Sequence, residues 1–199
     1  MELVRAARNG DLLEVQRLIQ NGNTSQNWID QALDYASSSG HLLIVEYLTD
    51  HGADIHSRND QAFISAVTYG RLPIVRYLIE HGASIHAQND SALIYAAYGG
   101  FLPVVEYLLN RGANIHAQNG KSLIDAVNYN RFPVVEYLLN HGANINVLSL
   151  ENQRKYQHLA PKTISPSEYY QIEFNILKII EYQDRYILTA KNKSYLLMK

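Results

Sequence analysis

Apolar residues return in fixed columns every 30 positions. Leu3, Leu33, Phe63, Leu93 and Leu123 are each followed three residues later by Ala6, Ala36, Ala66, Ala96 and Ala126. Residues three apart share one helical face, and the small Ala lets a neighbouring backbone come close. Gly10, Gly40, Gly70 and Gly100 then close this first helix, with Asn130 in the last copy. Gly or Asn suits the left-handed residue of a helix end. A second helix follows, with buried columns Leu12, Leu42, Leu72, Leu102 and Phe132, then Val15, Val45, Val75, Val105 and Val135, then Leu18, Leu48, Leu78, Leu108 and Leu138. Pro73, Pro103 and Pro133 fall in its first turn, where a missing N–H costs nothing. Gly22, Gly52, Gly82, Gly112 and Gly142 end it, and Ile55, Ile85, Ile115 and Ile145 anchor the link to the next unit.

The phrase Gly-Ala-x-Ile at Gly52, Gly82, Gly112 and Gly142 marks the period, and Gly22 keeps it. Units therefore tile residues 1–30, 31–60, 61–90, 91–120 and 121–150. Each reads as helix, turn, helix and a short extended loop, so the predicted fold is an all-α solenoid. One unit has too few apolar side chains to offset the ordering of its own chain. Stacking supplies the missing burial, and the array folds as a whole.

Residues 151–199 break the period. Ser165-Pro166-Ser167-Glu168 reads as a helix start. Tyr169, Ile172, Ile176 and Ile179 continue it as an apolar stripe, predicting a helix over about 166–182 and a further apolar segment near Tyr186-Ile187-Leu188. Glu151–Ile164 reads as a linker. Charge separates the two parts. Residues 1–150 carry 9 Lys+Arg and 14 Asp+Glu, a net of −5, whereas 151–199 carry 8 and 5, a net of +3. The opposite signs favour a tail that folds back to cap the open end of the array. A tail that binds something else is the alternative.

The repeats carry a family resemblance. Gly-His-Leu-Leu-Ile-Val-Glu-Tyr-Leu-Thr-Asp-His-Gly-Ala-Asp-Ile, residues 40–55, resembles an ankyrin repeat, and the likeness runs over residues 1–150. It is weaker in the first unit, where Gly22-Asn23-Thr24-Ser25 replaces Gly-Ala-x-Ile. Ankyrin units usually span 33 residues. Here three are missing from the inter-unit loop, at Arg58-Asn59-Asp60, Gln88-Asn89-Asp90 and Gln118-Asn119-Gly120. The family's projecting hairpin finger should therefore be clipped to a tight turn. Its Thr-Pro-Leu-His lead-in is replaced by Gln61-Ala62-Phe63-Ile64 and Ser91-Ala92-Leu93-Ile94, so the hydrogen bonds of that Thr and His do not carry over. Units of 30 residues rich in Asn, Ile and Tyr resemble the ankyrin proteins of large DNA viruses.

Composition removes several chemistries. The chain has 199 residues, no Cys and a formal net charge of −2. Disulfides, Cys-ligated metal and a Cys nucleophile are excluded. Retention on nucleic acid by bulk charge is excluded as well. No apolar run approaches a membrane span, and Met1-Glu2-Leu3-Val4-Arg5 does not begin a signal peptide. The expectation is a soluble intracellular monomer without cofactor.

The eight His invite a metal reading. His51, His81 and His141 precede the helix-ending Gly, and His56, His86 and His116 follow it by four residues. Stacked helices lie roughly 8–10 Å apart. Zinc ligands lie about 2 Å from the ion, so a column cannot share one. These His are expected instead at helix-end and loop carbonyls. Carboxylates recur at Glu46, Glu106 and Glu136, with Arg76 between the first two, and the change of sign around Arg76 suggests surface ion pairs. No spacing selects a catalytic set, so the reading is non-enzymatic. The column Tyr47, Tyr77, Tyr107 and Tyr137 is read as rings packed between units, with hydroxyls at the wet edge. The array also has eight Arg but one Lys, Lys121, where the tail has six Lys. Drift within copied units is the simpler account, avoidance of ubiquitin acceptors the other.

A second aromatic set lies at the end of the first helix, at Tyr69, Tyr98, Phe101 and Tyr129. The ankyrin resemblance implies that this edge and the adjoining loop line a concave groove that grips a protein partner. Matching edge positions are Ser38, Ser39, Thr68, Tyr69, Tyr98, Gly99, Asn128 and Tyr129. Matching loop positions are Arg58, Asn59, Asp60, Gln88, Asn89, Asp90, Gln118 and Asn119. Tyr offers large contact area at small entropy cost, which suits such a surface. An adaptor is the alternative, since ankyrin proteins of some large DNA viruses carry C-terminal segments resembling F-boxes that recruit host ubiquitin ligases. Leu159-Ala160-Pro161 and the helix after Ser165 are faintly similar to these.

Overall fold

The structure, a computed structural model, describes residues 1–22 and 24–160. Helices pair as α1 (Glu2–Asn9) with α2 (Leu12–Gln20), α3 (Gln26–Ser39) with α4 (Leu42–Asp50), and α5 (Ser57–Thr68) with α6 (Leu72–Glu80). The pairs α7 (Ala87–Gly99) with α8 (Leu102–Asn110) and α9 (Ala117–Asn128) with α10 (Phe132–Asn140) follow. A 3-10 turn at Ile145–Val147 and α11 (Leu150–Tyr156) close the described chain. Among the described residues there is no strand, and no helix is long and apolar enough to cross a membrane.

The first helices, α1, α3, α5, α7 and α9, stack side by side in one layer. The second helices form a layer behind them with sparser mutual contact. The sequence columns explain the difference. Ala36, Ala66, Ala96 and Ala126 are fully buried beside Leu33, Phe63, Leu93 and Leu123. Without bulk at the Ala position, the inner helices approach closely and their Leu and Phe side chains fill the space between. Val15, Val45, Val75, Val105 and Val135 are fully buried between the layers.

Glycine at the end of each first helix answers two demands. Gly10, Gly40, Gly70 and Gly100 all have positive φ, which glycine meets without strain. Each also faces a side chain of the next unit. A Cβ on Gly70 would lie 2.5 Å from the Phe101 ring, and one on Gly100 would lie 2.7 Å from Cδ of Arg131. Asn130, at φ 55°, keeps the left-handed conformation at the last copy, where no further unit of the array follows.

The next unit's side chain uses this approach to cap the helix it touches. Nε2 of His41 donates to the Arg8 carbonyl at 3.0 Å. Nε of Arg71 donates to the Ser38 carbonyl at 3.0 Å, and Nε of Arg131 to the Tyr98 carbonyl at 2.9 Å. Helix C-termini leave carbonyls unpaired and carry negative partial charge, so a cationic donor there satisfies both. Phe101 holds the same position in the fourth unit and packs instead of bonding.

The clipped loops are single left-handed turns. Arg58, Asn59 and Asp60 have φ between 52° and 58°, and the same geometry recurs at Gln88, Asn89 and Asp90 and at Gln118, Asn119 and Gly120. Asn and Asp tolerate this region better than other non-glycine residues. The first junction differs. Lacking Gly-Ala-x-Ile, it has no such turn among the described residues, and α3 starts early at Gln26 to run 14 residues. Asp11 caps α2, its Oδ1 accepting from Glu14 N at 3.0 Å. Hydrogen bonds from the exposed Arg17, and then its charge, hold the Glu14 carboxyl below its usual range.

The C-terminal boundary corrects the linker reading. Leu150–Tyr156 is helical, capped by Ser149, whose Oγ accepts from Asn152 N at 3.4 Å. Glu151 in the first turn and Arg154 and Lys155 in the last match the helix dipole. Leu148 and Tyr156 are buried in the core, and Leu159 packs against it. These residues therefore cover part of the end of the array. The helix expected over 166–182, the apolar segment near 186–188 and the capping by them lie outside the described residues.

Candidate functional site

The free edge of the first helices gathers the aromatic residues that the core does not take. Tyr69, Tyr98 and Tyr129 are 58%, 44% and 49% exposed, far above the buried columns beside them. Their positions follow from the period. Tyr98 sits near the end of α7, and Tyr129 caps α9 in the adjoining unit. The two rings meet edge-to-face with centroids 4.3 Å apart. Such a contact fixes both rings while leaving outer surface in solvent.

The other expected edge residues are placed unevenly. Thr68 and Asn128 are exposed, and Ser38 and Ser39 are half-buried. Oγ of Thr68 donates to the Ile64 carbonyl at 2.8 Å, and Oγ of Ser38 to the Tyr35 carbonyl at 3.0 Å. Phe101 is half-buried, with its ring seated against Gly70 and Gly99.

Most loop side chains are spent on holding units together. Arg58 reaches back to the Asp34 carboxylate at 3.3 Å. Nε2 of Gln88 donates to the Asn59 carbonyl at 3.4 Å and to Oε1 of Gln61 at 3.0 Å. One unit on, Nε2 of Gln118 donates to the Asn89 carbonyl at 2.9 Å and to Oγ of Ser91 at 3.4 Å. Asp60 is 5% exposed, so it is not available as surface. Its carboxylate faces Nδ1 of His56 at 2.9 Å, and Asp90 makes the equivalent bond to His86. Asn59, Asn89 and Asn119 remain exposed at the tips.

Sequence reasoning missed Tyr35 and Tyr95, which sit three residues before Ser38 and Tyr98 on the same helical face. Tyr95 is 39% exposed. Tyr35 lies under the Arg8 guanidinium at 4.0 Å. A signal existed, because this column changes residue type in every copy, as Arg5, Tyr35, Ser65, Tyr95 and Asp125. Within it, Ser65 bonds to the Asp34 carboxylate, and Asp125 to Lys121 at 3.1 Å.

The second-helix columns are structural. Nδ1–H of His51, His81 and His141 donates to the carbonyls of Tyr47, Tyr77 and Tyr137 at 2.7–2.8 Å, and each ring stacks on that Tyr. Among the described residues, no group of three or more His, Asp or Glu converges as metal ligands. The charged column of the second helices does not form the suggested pairs. Arg76 makes no ion pair with Glu46 or Glu106 but lies over the Tyr107 ring at 4.8 Å, where Arg111 also approaches at 5.0 Å. An exposed ion pair is worth only about 0–1 kcal/mol, so it does not outweigh a guanidinium's contact with an aromatic face. The Tyr hydroxyls are likewise not all at a wet edge. Those of Tyr47 and Tyr107 are buried without a partner among the described residues, and that of Tyr77 meets Oγ1 of Thr49 at 2.5 Å.

Comparison with known proteins agrees with this architecture. The family model for ankyrin repeats (3 copies) matches residues 3–89 and 64–149. No curated protein matches the chain. Ankyrin repeats generally mediate protein–protein interaction. Since the matches run through all five units, the chain belongs to the ankyrin-repeat family.

Proposed function

We propose that this protein is a non-enzymatic binding module that grips a protein partner along the first-helix edge. The supporting observation is the edge-to-face pair of Tyr98 and Tyr129, exposed in adjoining units with Tyr95 and Tyr69 nearby along the helices. Large, rigid aromatic surface with small polar neighbours is what protein interfaces use as anchors. Thr68, Asn128 and the tips at Asn59, Asn89 and Asn119 extend the surface. Arg58, Gln88 and Gln118 contribute by holding the loops, and Asp60 and Asp90 by their bonds to His56 and His86.

A stacked array meets its partner with the surface already formed, so little ordering cost falls on binding. The test is affinity purification with the full-length protein and its Tyr98→Ala/Tyr129→Ala variant. The variant is expected to stay folded, because both rings lie outside the buried columns. It should lose about tenfold or more in partner affinity. Recovery of the same partners at unchanged affinity would remove the edge from consideration.

A further inference from the structure

The residues that cap the first helices form a row across the units: His41, Arg71, Phe101 and Arg131. Arg71 and Arg131 each spend Nε on a helix-end carbonyl, at 3.0 Å and 2.9 Å. Neither makes an ion pair among the described residues. Both guanidinium groups are therefore fixed in direction, and their two Nη groups face no carboxylate there. Phe101 stands between them, its ring held against Gly70 and Gly99. Tyr69 precedes Arg71 by two residues, and so does Tyr129 precede Arg131.

The two layers differ in net charge, because the acids of the second helices face fewer cations, Arg17 and Arg76. The second helices carry Glu14, Glu46, Asp50, Glu80, Glu106 and Glu136. On the first-helix side, Asp34 is held by Arg58, Asp60 and Asp90 by His, and Asp125 by Lys121. Asp30 in α3 accepts instead from Gln26 and from Asp54 N, and Glu2 stands in the first turn of α1, far along the array from the caps at Arg71 and Arg131, which have no acidic partner among the described residues.

We infer that Arg71, Phe101 and Arg131 read an extended acidic segment of a partner protein, with one carboxylate at each Arg and an apolar side chain between them at Phe101. This rests on the proposed use of the first-helix edge for protein binding and names the chemistry it takes. Two units separate the arginines, which at helix-packing spacing is roughly 16–20 Å. An extended chain covers that in about five to six residues. A guanidinium with both Nη groups available matches a carboxylate in two parallel hydrogen bonds.

A randomised twelve-residue peptide library, displayed on phage, is selected against the full-length protein. Enriched sequences are expected to carry two Asp or Glu about five to six residues apart with an apolar residue between them. A synthetic peptide of the enriched sequence should lose about tenfold or more in affinity for Arg71→Gln/Arg131→Gln. It should lose affinity for Arg71→Lys/Arg131→Lys as well, because Lys keeps the charge without the fork. Circular dichroism of each variant, set against wild type, shows that the array is intact. Neutral or basic enriched sequences, no enrichment, or equal affinity for the folded arginine variants would each overturn the inference. Tyr98→Ala/Tyr129→Ala separates the two readings. Peptides that need the tyrosines but not the arginines leave the protein-binding edge standing without the acidic specificity. Peptides that need neither remove both.

Discussion

Single residues in this array are chosen by what the next unit brings against them. Gly52 and Gly70 make the contrast. Both have positive φ, but a Cβ on Gly52 would meet nothing within 4 Å, whereas one on Gly70 would lie 2.5 Å from a rigid ring. Gly52→Ala should cost only the left-handed penalty, about 1–2 kcal/mol. Gly70→Ala should cost roughly 1–3 kcal/mol more, from overpacking against Phe101. Urea unfolding of both variants measures the difference, and equal losses would show that the close approach carries no energy. Tyr107 tests a different point. Its hydroxyl is buried without a partner among the described residues, while its ring contacts two guanidinium groups. Tyr107→Phe should leave stability unchanged or raise it by up to about 1 kcal/mol. A loss of that size in the same unfolding experiment would mean that the hydroxyl is satisfied.

The same logic sets each element. Helix existence was legible in the sequence because Leu, Ala, Val and Gly recur at fixed positions, but one expected buried column is corrected: Leu12, Leu42, Leu72 and Leu102 are half-buried and Phe132 is exposed, because they open the second helix at its rim, and Ile44, Ile74, Val104 and Val134 take the buried place beside the Val column. The left-handed turns were legible only as short loops. Their conformation depends on three successive residues at positive φ, and Arg58, Gln88 and Gln118 give no local sign of it. Helix α11 was missed because Leu150–Tyr156 has no apolar periodicity of its own and is held by Leu148 and Tyr156 in the core. The third turn shows how loop and neighbour are matched. Gly120 replaces the Asp of the other two, and a Cβ there would lie 3.3 Å from Val147. Twenty-seven residues after Asp60 and Asp90, the corresponding positions are the small Ala87 and Ala117. Gly120→Asp should therefore destabilise α9 in the wild type and be partly rescued by Val147→Ala, which also lets the new carboxylate meet His116. A double-mutant cycle in urea is expected to show coupling of about 0.5–3 kcal/mol. Strict additivity would break the link between the turn and the residue packed against it.

At the scale of the molecule, stability passes from unit to unit, while binding is assigned to one edge of the stack. Tyr156 is 4% exposed and its ring lies 6.4 Å from that of Phe132, so it closes the last unit. Tyr156→Ala should cost about 3–5 kcal/mol locally. In a nearest-neighbour array the loss is felt first beside it. Hydrogen exchange is expected to speed up in α9 and α10 more than in α3 and α4, and a uniform change would point to a single indivisible core. The edge was only partly legible for a related reason. Tyr69, Tyr98 and Tyr129 stood out as aromatics at a helix end, but whether a loop Gln or Asp faces outward depends on the unit next to it, which spacing alone does not specify. The most direct measurement of the central claim is site-specific photo-crosslinking in cells. A photoreactive aromatic amino acid is placed in the full-length chain at Tyr98 or Tyr129, and in parallel at Leu43 and Glu136 on the second helices. Defined protein adducts at the two tyrosine positions, and none at the other two, are the predicted result. Adducts confined to the second-helix positions would contradict binding along the first-helix edge.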